Sequence, residues 1–286
     1  MPRFRLTLAY DGTDFAGSQA QPNQRTVQGV LEQALDRVLG EPPATTFAGR
    51  TDRGVHATGQ VVAFDAWSWR SDARVLRRAL NATLPADLRA IDASECDPAF
   101  HPRFDAAWRE YRYWIAPGAD SPFLGRYAWS PRANVDLDLM ADGARNLVGT
   151  HDFASFAGGG EGVPWSERSQ RMRGTTRTIY RCAPRVSEMF FGPGAGPERV
   201  VEVTVVADGF LPRMVRNIVG ALVEVAQGRQ EPSWIGEILG YRDRRMGSVV
   251  APALGLTLSA VGYGDDPIDD WQPAMPGRCE AHEGAV

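Results

Sequence analysis

Residues 3–10 read Arg-Phe-Arg-Leu-Thr-Leu-Ala-Tyr. Polar and apolar side chains alternate with period two, which predicts a strand with one buried face. Working outward, Thr26 is placed to cap a helix through about Leu39, with Val27, Val30, Leu31, Ala34, Leu35 and Val38 on one face. A short strand near Thr45–Ala48 and a buried strand over Gln60–Asp65 follow. Ser71 is read as the cap of a second helix to about Leu80, and Leu88–Glu95 as another strand. The order is β-α-β-β-α-β.

The second half repeats that order. Trp108–Ile115 alternates as a strand, and Asp136 opens a helix to about Val148. Arg177–Arg185 and Arg199–Val206 are strand-like. A helix is expected from about Pro212 to Ala226, with proline at its first position. A shorter one covers Ser233–Leu239, and Gly255–Tyr263 reads as a last strand. The expected fold class is α+β: two ferredoxin-like, RRM-like halves, each an antiparallel sheet backed by helices, with a catalytic cleft between them. The expected division is 1–105, 106–264 and an acidic, disordered tail over 265–286.

Composition narrows the function. The chain has 286 residues, 43% hydrophobic and 23% charged, the profile of a globular protein. No apolar run approaches the ~18 residues of a membrane span, and the N-terminus lacks a signal-peptide core. A cytoplasmic location is expected. Cys96, Cys182 and Cys279 stand far apart, so neither a disulfide framework nor a zinc knuckle is supported. His56, His101, His151 and His282 show no metal-ligand spacing, and no metal is expected.

The net charge of −4 argues mildly against a nucleic-acid partner, but its distribution argues for one. Six carboxylates fall in residues 265–286 against Arg278 alone. From Trp165 to Arg185 the balance reverses: Arg168, Arg171, Arg173, Arg177, Arg181 and Arg185 face only Glu167. All 31 basic side chains are arginine, which suits forked contact with phosphate. A GC-rich genome accounts for the missing lysine but not for the clustering.

The densest segment is Gly49-Arg50-Thr51-Asp52-Arg53-Gly54-Val55-His56-Ala57. Asp52 sits between two arginines, which favour negative charge there, in a loop whose glycines let backbone approach a ligand. Such a carboxylate can act as nucleophile or base. Late in the chain, Leu211, Val215, Ile218, Val219, Leu222 and Val223 form one helix face, and Arg213, Arg216 and Asn217 the other. Arginines early in a helix oppose its macrodipole, so another task is expected of them.

The Gly49–Ala57 string resembles the catalytic loop of the tRNA pseudouridine synthase A family. The resemblance continues through Tyr10-Asp11-Gly12 and Phe15-x-Gly17, Thr26-Val27-Gln28, and Asn81-x-x-Leu84-Pro85. It goes on through Phe100-His101-x-Arg103-Phe104, Tyr111-Arg112-Tyr113, Phe210-Leu211-x-x-Met214-Val215-Arg216-Asn217 and Gly255-Leu256-x-Leu258. It runs from about Arg3 to Tyr263.

The resemblance implies isomerisation of uridine to pseudouridine in the anticodon stem-loop of tRNA, at positions 38, 39 and 40, by a homodimer. It implies no cofactor. Asp52 would be the nucleophile that detaches uracil from ribose, whether by adding to the sugar or by acting on it as a base. Arg50 would hold the target nucleotide out of the helix, since a stacked base cannot be reached. Tyr111 would contact the base and move a proton, and Arg216 would pair with Asp52. Arg213, Arg168, Arg171 and Arg173 are expected to bind substrate. His56 is read as a hydrogen-bonding support and Tyr113 as core. Ser18 stands where the family usually has Trp, a change expected to weaken aromatic packing only.

Two rivals are weaker. A non-catalytic tandem RRM-like RNA-binding protein would carry aromatic and basic strings on its central strands, and these are missing. A glycoside hydrolase would need two carboxylates flanking the bond, and one strong candidate is present.

Overall fold

A computed structural model describes residues 2–118, 121–158, 174–190, 197–264, 266 and 268. Its strands are β1 (Arg3–Tyr10), β2 (Thr46–Phe47), β3 (His56–Asp65), β4 (Leu88–Cys96), β5 (Ala106–Ile115), β6 (Gly149–Asp152), β7 (Thr176–Met189), β8 (Glu198–Ala207) and β9 (Leu256–Tyr263). Its helices are α1 (Val27–Leu39), α2 (Ala73–Thr83), α3 (Leu124–Tyr127), α4 (Leu137–Arg145), α5 (Met214–Ala226) and α6 (Trp234–Tyr241).

The alternation in β1 buries Phe4, Leu6, Leu8 and Tyr10. Thr26 caps α1 by accepting the Gly29 N–H at 3.2 Å, and Gly40, at φ 79°, closes it. The second helix starts one residue later than expected. Asp72, not Ser71, is its cap, its carboxylate accepting the Val75 N–H at 2.8 Å. A charged acceptor also complements the helix dipole, which a serine hydroxyl does not.

The mostly antiparallel strands form one sheet, in the order β4-β1-β3-β9-β5-β8-β7-β6, with β2 paired to β3. The order β4-β1-β3-β2 recurs as β9-β5-β8-β7. The two antiparallel groups are therefore joined rather than separate. The join is β9, which lies antiparallel to β5 and meets β3 in parallel through His56↔Thr257 and Ala57↔Leu258. Gly59 permits the approach: a Cβ there would stand 2.1 Å from the Ser259 carbonyl oxygen. Leu31 and Leu35 of α1, Leu76 and Leu80 of α2, Met140 of α4 and Ile218 and Leu222 of α5 share one core with the strands.

One expectation changes at α5. The helix starts at Met214, not Pro212; Arg213 precedes it in the left-handed region at φ 58°. The Pro212 carbonyl is taken by the Gly158 N–H, which holds Pro212 in the turn. The polar residues on the early turns of α5 are engaged with the rest of the protein. Asn217 is buried and donates to the Phe156 carbonyl at 2.6 Å. The chain crosses over α5 closely enough that a Cβ on Gly220 would meet the Val249 carbonyl oxygen.

Candidate active site

The Gly49–Val55 loop joins β2 to β3, and its backbone is held on several sides. Gln60 Nε2 donates to the Gly49 carbonyl at 2.9 Å. The Ser18 N–H donates to the Thr51 carbonyl at 3.0 Å, and Ser18 Oγ accepts the Thr51 N–H at 2.9 Å. The Thr51 hydroxyl meets the Tyr10 hydroxyl at 2.8 Å. The turn closes with the Val55 N–H on the Asp52 carbonyl, and Gly54 supplies the positive φ of 78°. Ser18 therefore does more than leave out an aromatic contact. Its hydroxyl and backbone clamp the residue before Asp52, where a Trp has no side-chain acceptor to offer.

His56 anchors the far end of the loop. Its Nδ1 accepts the Gly12 N–H at 3.0 Å and its Nε2 donates to the Leu254 carbonyl at 3.1 Å. That pattern requires the neutral ring. Burial favours the neutral form too, pushing the His56 pKa down against the opposing charge of Asp11. The approach of Asp11 Oδ1 to Nδ1, at 3.3 Å, is thus a contact rather than an ion pair. Burial works against the Asp11 carboxylate, but hydrogen bonds from Thr13 and Tyr127 outweigh it and bring its pKa to about 2.

Held in this way, Asp52 keeps a side chain 44% exposed. Arg216 Nη1 stands 3.7 Å from its Oδ2. Arg216 is itself fixed, since its Nε donates to the Ala251 carbonyl at 2.7 Å and its own carbonyl accepts the Ala251 N–H. Asp52 faces a cavity of about 780 Å³ that Arg50, Tyr111 and Arg213 also line. Arg216 is not a lining residue and reaches the site through Asp52.

Tyr111 lies on β5, sharing the core-side face with Tyr113 and Ile115, while Trp108 packs on the other face with Val206 and Ala260. Its ring meets Phe210 edge-on at 5.0 Å. Its hydroxyl points toward Gly49, 4.0 Å from where a Cβ on that glycine would stand. Burial raises the hydroxyl pKa well above the ordinary phenol range, so it keeps its proton at neutral pH and can donate a hydrogen bond.

A family model described as tRNA pseudouridine synthase matches residues 7–105 and 144–264. The chain belongs to that family. It is 40% identical to the tRNA pseudouridine synthase A of Pseudothermotoga lettingae, over 92% of this chain and all of that one. It is 42% identical to the protein of that name from Chloroflexus aurantiacus, covering 92% and 89% respectively. To that of Brevibacillus brevis it is 43% identical, covering 92% and 100%. The matched segments of this isomerase family contain Arg50, Asp52, Arg213 and Arg216, and Tyr111 lies between them.

The structure thus brings Arg50, Asp52, Tyr111, Arg213 and Arg216 together. Arg168, Arg171 and Arg173 lie outside the described residues. The described end of that arginine-rich stretch is largely engaged with the protein. Arg177 is buried and donates to the Gly174 and Thr176 carbonyls, and Arg185 pairs with Glu202 at 3.0 Å. Residues to which no role was attached also line the cavity, among them Arg103, Arg109 and Arg177. The sequence signal for Arg103 was the Phe100–Phe104 string, and Arg109 stood only within the Trp108–Ile115 strand. Among the described residues no group of three or more His, Cys, Asp or Glu is gathered for a metal, and no helix is long and apolar enough to cross a membrane.

Proposed function

We propose that this protein isomerises uridine to pseudouridine in the anticodon stem-loop of tRNA, at positions 38, 39 and 40, with Asp52 as the catalytic carboxylate. The observation that carries the reading is the Asp52–Arg216 pair, set in a cavity that also presents the Tyr111 hydroxyl. The reaction breaks the bond from ribose C1′ to uracil N1 and forms one from C1′ to C5. The C5 proton is lost and N1 gains one. Asp52 is the group placed to attack the sugar or to take a proton from it. Arg216 keeps that carboxylate oriented. Arg50 and Arg213 offer positive charge to the RNA around an extruded nucleotide. Tyr111 offers a ring edge and a donor to the base.

The relatives' name, tRNA pseudouridine synthase A, supports the substrate class. Residues 1–105 carry the Asp52 loop and 106–264 carry Tyr111 and Arg216; the two act as halves of one cleft. The working form is a cytoplasmic homodimer. The test is a map of pseudouridine in total tRNA from cells with and without the protein, repeated with Asp52→Asn. The variant keeps the size of the side chain and removes its charge. Signals at the three positions should vanish with the deletion and stay absent with Asp52→Asn. Signals retained in the deletion, or restored by the variant, overturn the assignment.

A further inference from the structure

Arg50 and Arg103 reach the cavity from different segments: Arg50 from the Asp52 loop, Arg103 from the turn between β4 and β5. Several arginines sit on carboxylates, as Arg3 does on Asp65, Arg25 on Asp87 and Arg216 on Asp52, and others, such as Arg77 and Arg89, donate to backbone carbonyls. Among the described residues, neither Arg50 nor Arg103 has a carboxylate within 4 Å. The two guanidinium groups feel each other. Partial burial, and then the charge of Arg50, hold the proton affinity of Arg103 below its ordinary value.

The turn that presents Arg103 is built. His101 Nδ1 accepts the N–H groups of both Arg103 and Phe104, each at 3.2 Å. Asp105 Oδ2 accepts the His101 N–H at 2.7 Å, and the Asp105 N–H returns to the His101 carbonyl. Arg109 then ties this turn to the catalytic loop. Its Nη2 donates to the Arg103 carbonyl at 2.6 Å and to the Ala48 carbonyl at 3.3 Å, while its Nη1 donates to the Asp208 carbonyl at 3.1 Å. One guanidinium thereby joins the backbone behind Arg103, the strand feeding the Arg50 loop, and the loop leading to Phe210.

Holding two like charges together costs free energy unless an anion joins them. The forked donors of arginine match phosphate oxygens in geometry and charge. The anion must also be one that enters the cavity of Asp52. We propose that Arg103 and Arg50 form a phosphate-binding pair, which grips a backbone phosphodiester of the RNA next to the nucleotide presented to Asp52. This rests on the pseudouridine synthase reading of the cavity, and it gives Arg103 a binding role and Arg109 a positioning role.

The test is binding of an unmodified anticodon stem-loop RNA to the full chain as a function of salt. Arg103→Ala keeps the backbone groups that build the turn. It should weaken binding roughly tenfold, the worth of a hydrogen bond to a charged group. It should also flatten the log–log salt slope by roughly 0.7–0.9, one phosphate contact. Arg103→Lys, which keeps the charge, should restore the slope. RNAs with one neutral methylphosphonate at successive positions then locate the contact: one position should weaken the wild type markedly and Arg103→Ala, which keeps only the Arg50 contact, much less. An unchanged slope in Arg103→Ala, or the same methylphosphonate profile in both proteins, overturns the pair. Pseudouridine formation by the wild type is scored on the same RNA. Turnover with an unchanged slope removes only the pair, whereas no turnover removes the reading beneath it.

Discussion

Arg216 and Asp52 are far apart in sequence, yet the Arg216 Nη1 stands 3.7 Å from the Asp52 carboxylate. The arginine cannot drift, because its Nε is bonded to the Ala251 carbonyl. The backbone leading to Asp52 is held too, by Ser18 at Thr51 and Gln60 at Gly49. The backbone that carries the carboxylate and the arginine facing it are therefore in place before any RNA arrives, which is the condition for catalysis by positioning.

Removing that partner should act on turnover. Arg216→Ala is expected to lower the single-turnover rate by roughly 10²-fold, the cost of about 1 Å of misplacement. RNA affinity should change little, since Arg216 does not line the cavity. Arg216→Lys keeps a charge but loses the fork that serves Ala251 and Asp52 together, so it should rescue only part of the rate. Titration of RNA binding beside single-turnover kinetics separates the effects. A defect confined to affinity would make Arg216 a phosphate ligand.

Tyr111 allows ring and hydroxyl to be tested apart. Tyr111→Phe keeps the edge contact with Phe210 and removes the donor; Tyr111→Leu removes both. If the hydroxyl moves a proton, Phe should be nearly as damaging as Leu, roughly 10²–10⁴-fold in single-turnover rate. If the ring only stacks on the base, Phe should behave as wild type, and Leu should lose about 1–3 kcal/mol of binding. Normal rates in both variants would place Tyr111 in the core alone.

The neutral His56 ring predicts a pH dependence of stability. Its pKa is depressed in the folded state, first by burial. Its contribution is fully present above the unfolded value of about 6.5. As pH falls below that, the unfolded chain takes a proton that the folded ring refuses. Stability then drops by up to ~1.4 kcal/mol per pH unit until the folded value is reached. The Asp11 contribution lies lower, present above an unfolded pKa of about 4 and lost as pH falls to about 2. Denaturant melts between pH 8 and pH 5 should show the His56 slope, and His56→Gln should lack it. The same slope in the variant would assign it to other groups.

Ser18 is the simplest test of the loop clamp. Ser18→Ala leaves the buried Thr51 N–H without its acceptor, which typically costs about 1–3 kcal/mol. The loss should appear in the denaturant midpoint together with slower turnover, because the freed bond sits beside Asp52. An unchanged midpoint would show that the backbone bond between Ser18 and Thr51 suffices.

Much of this molecule was written in local sequence. The alternation of Arg3–Tyr10, the Thr26 cap and the recurring element order follow from side-chain periodicity and turn chemistry, which act over a few residues. The same holds for the Gly49–Ala57 string, where the spacing of Asp52 between glycines and arginines is itself the signal. Tertiary structure decided what depends on partners distant in the chain. It joined the two antiparallel groups through β9, buried Asn217 against the Phe156 carbonyl, and gave Ser18 a bond to the loop. It also brought Arg103 to the cavity that Arg50 lines, with Arg109 bonded to the Arg103 and Ala48 carbonyls. In most of these cases the partner is a backbone group. Almost every residue carries an N–H and a C=O, so sequence alone does not mark which of them a side chain will meet. Only the packing that brings distant segments within about 3 Å makes that choice.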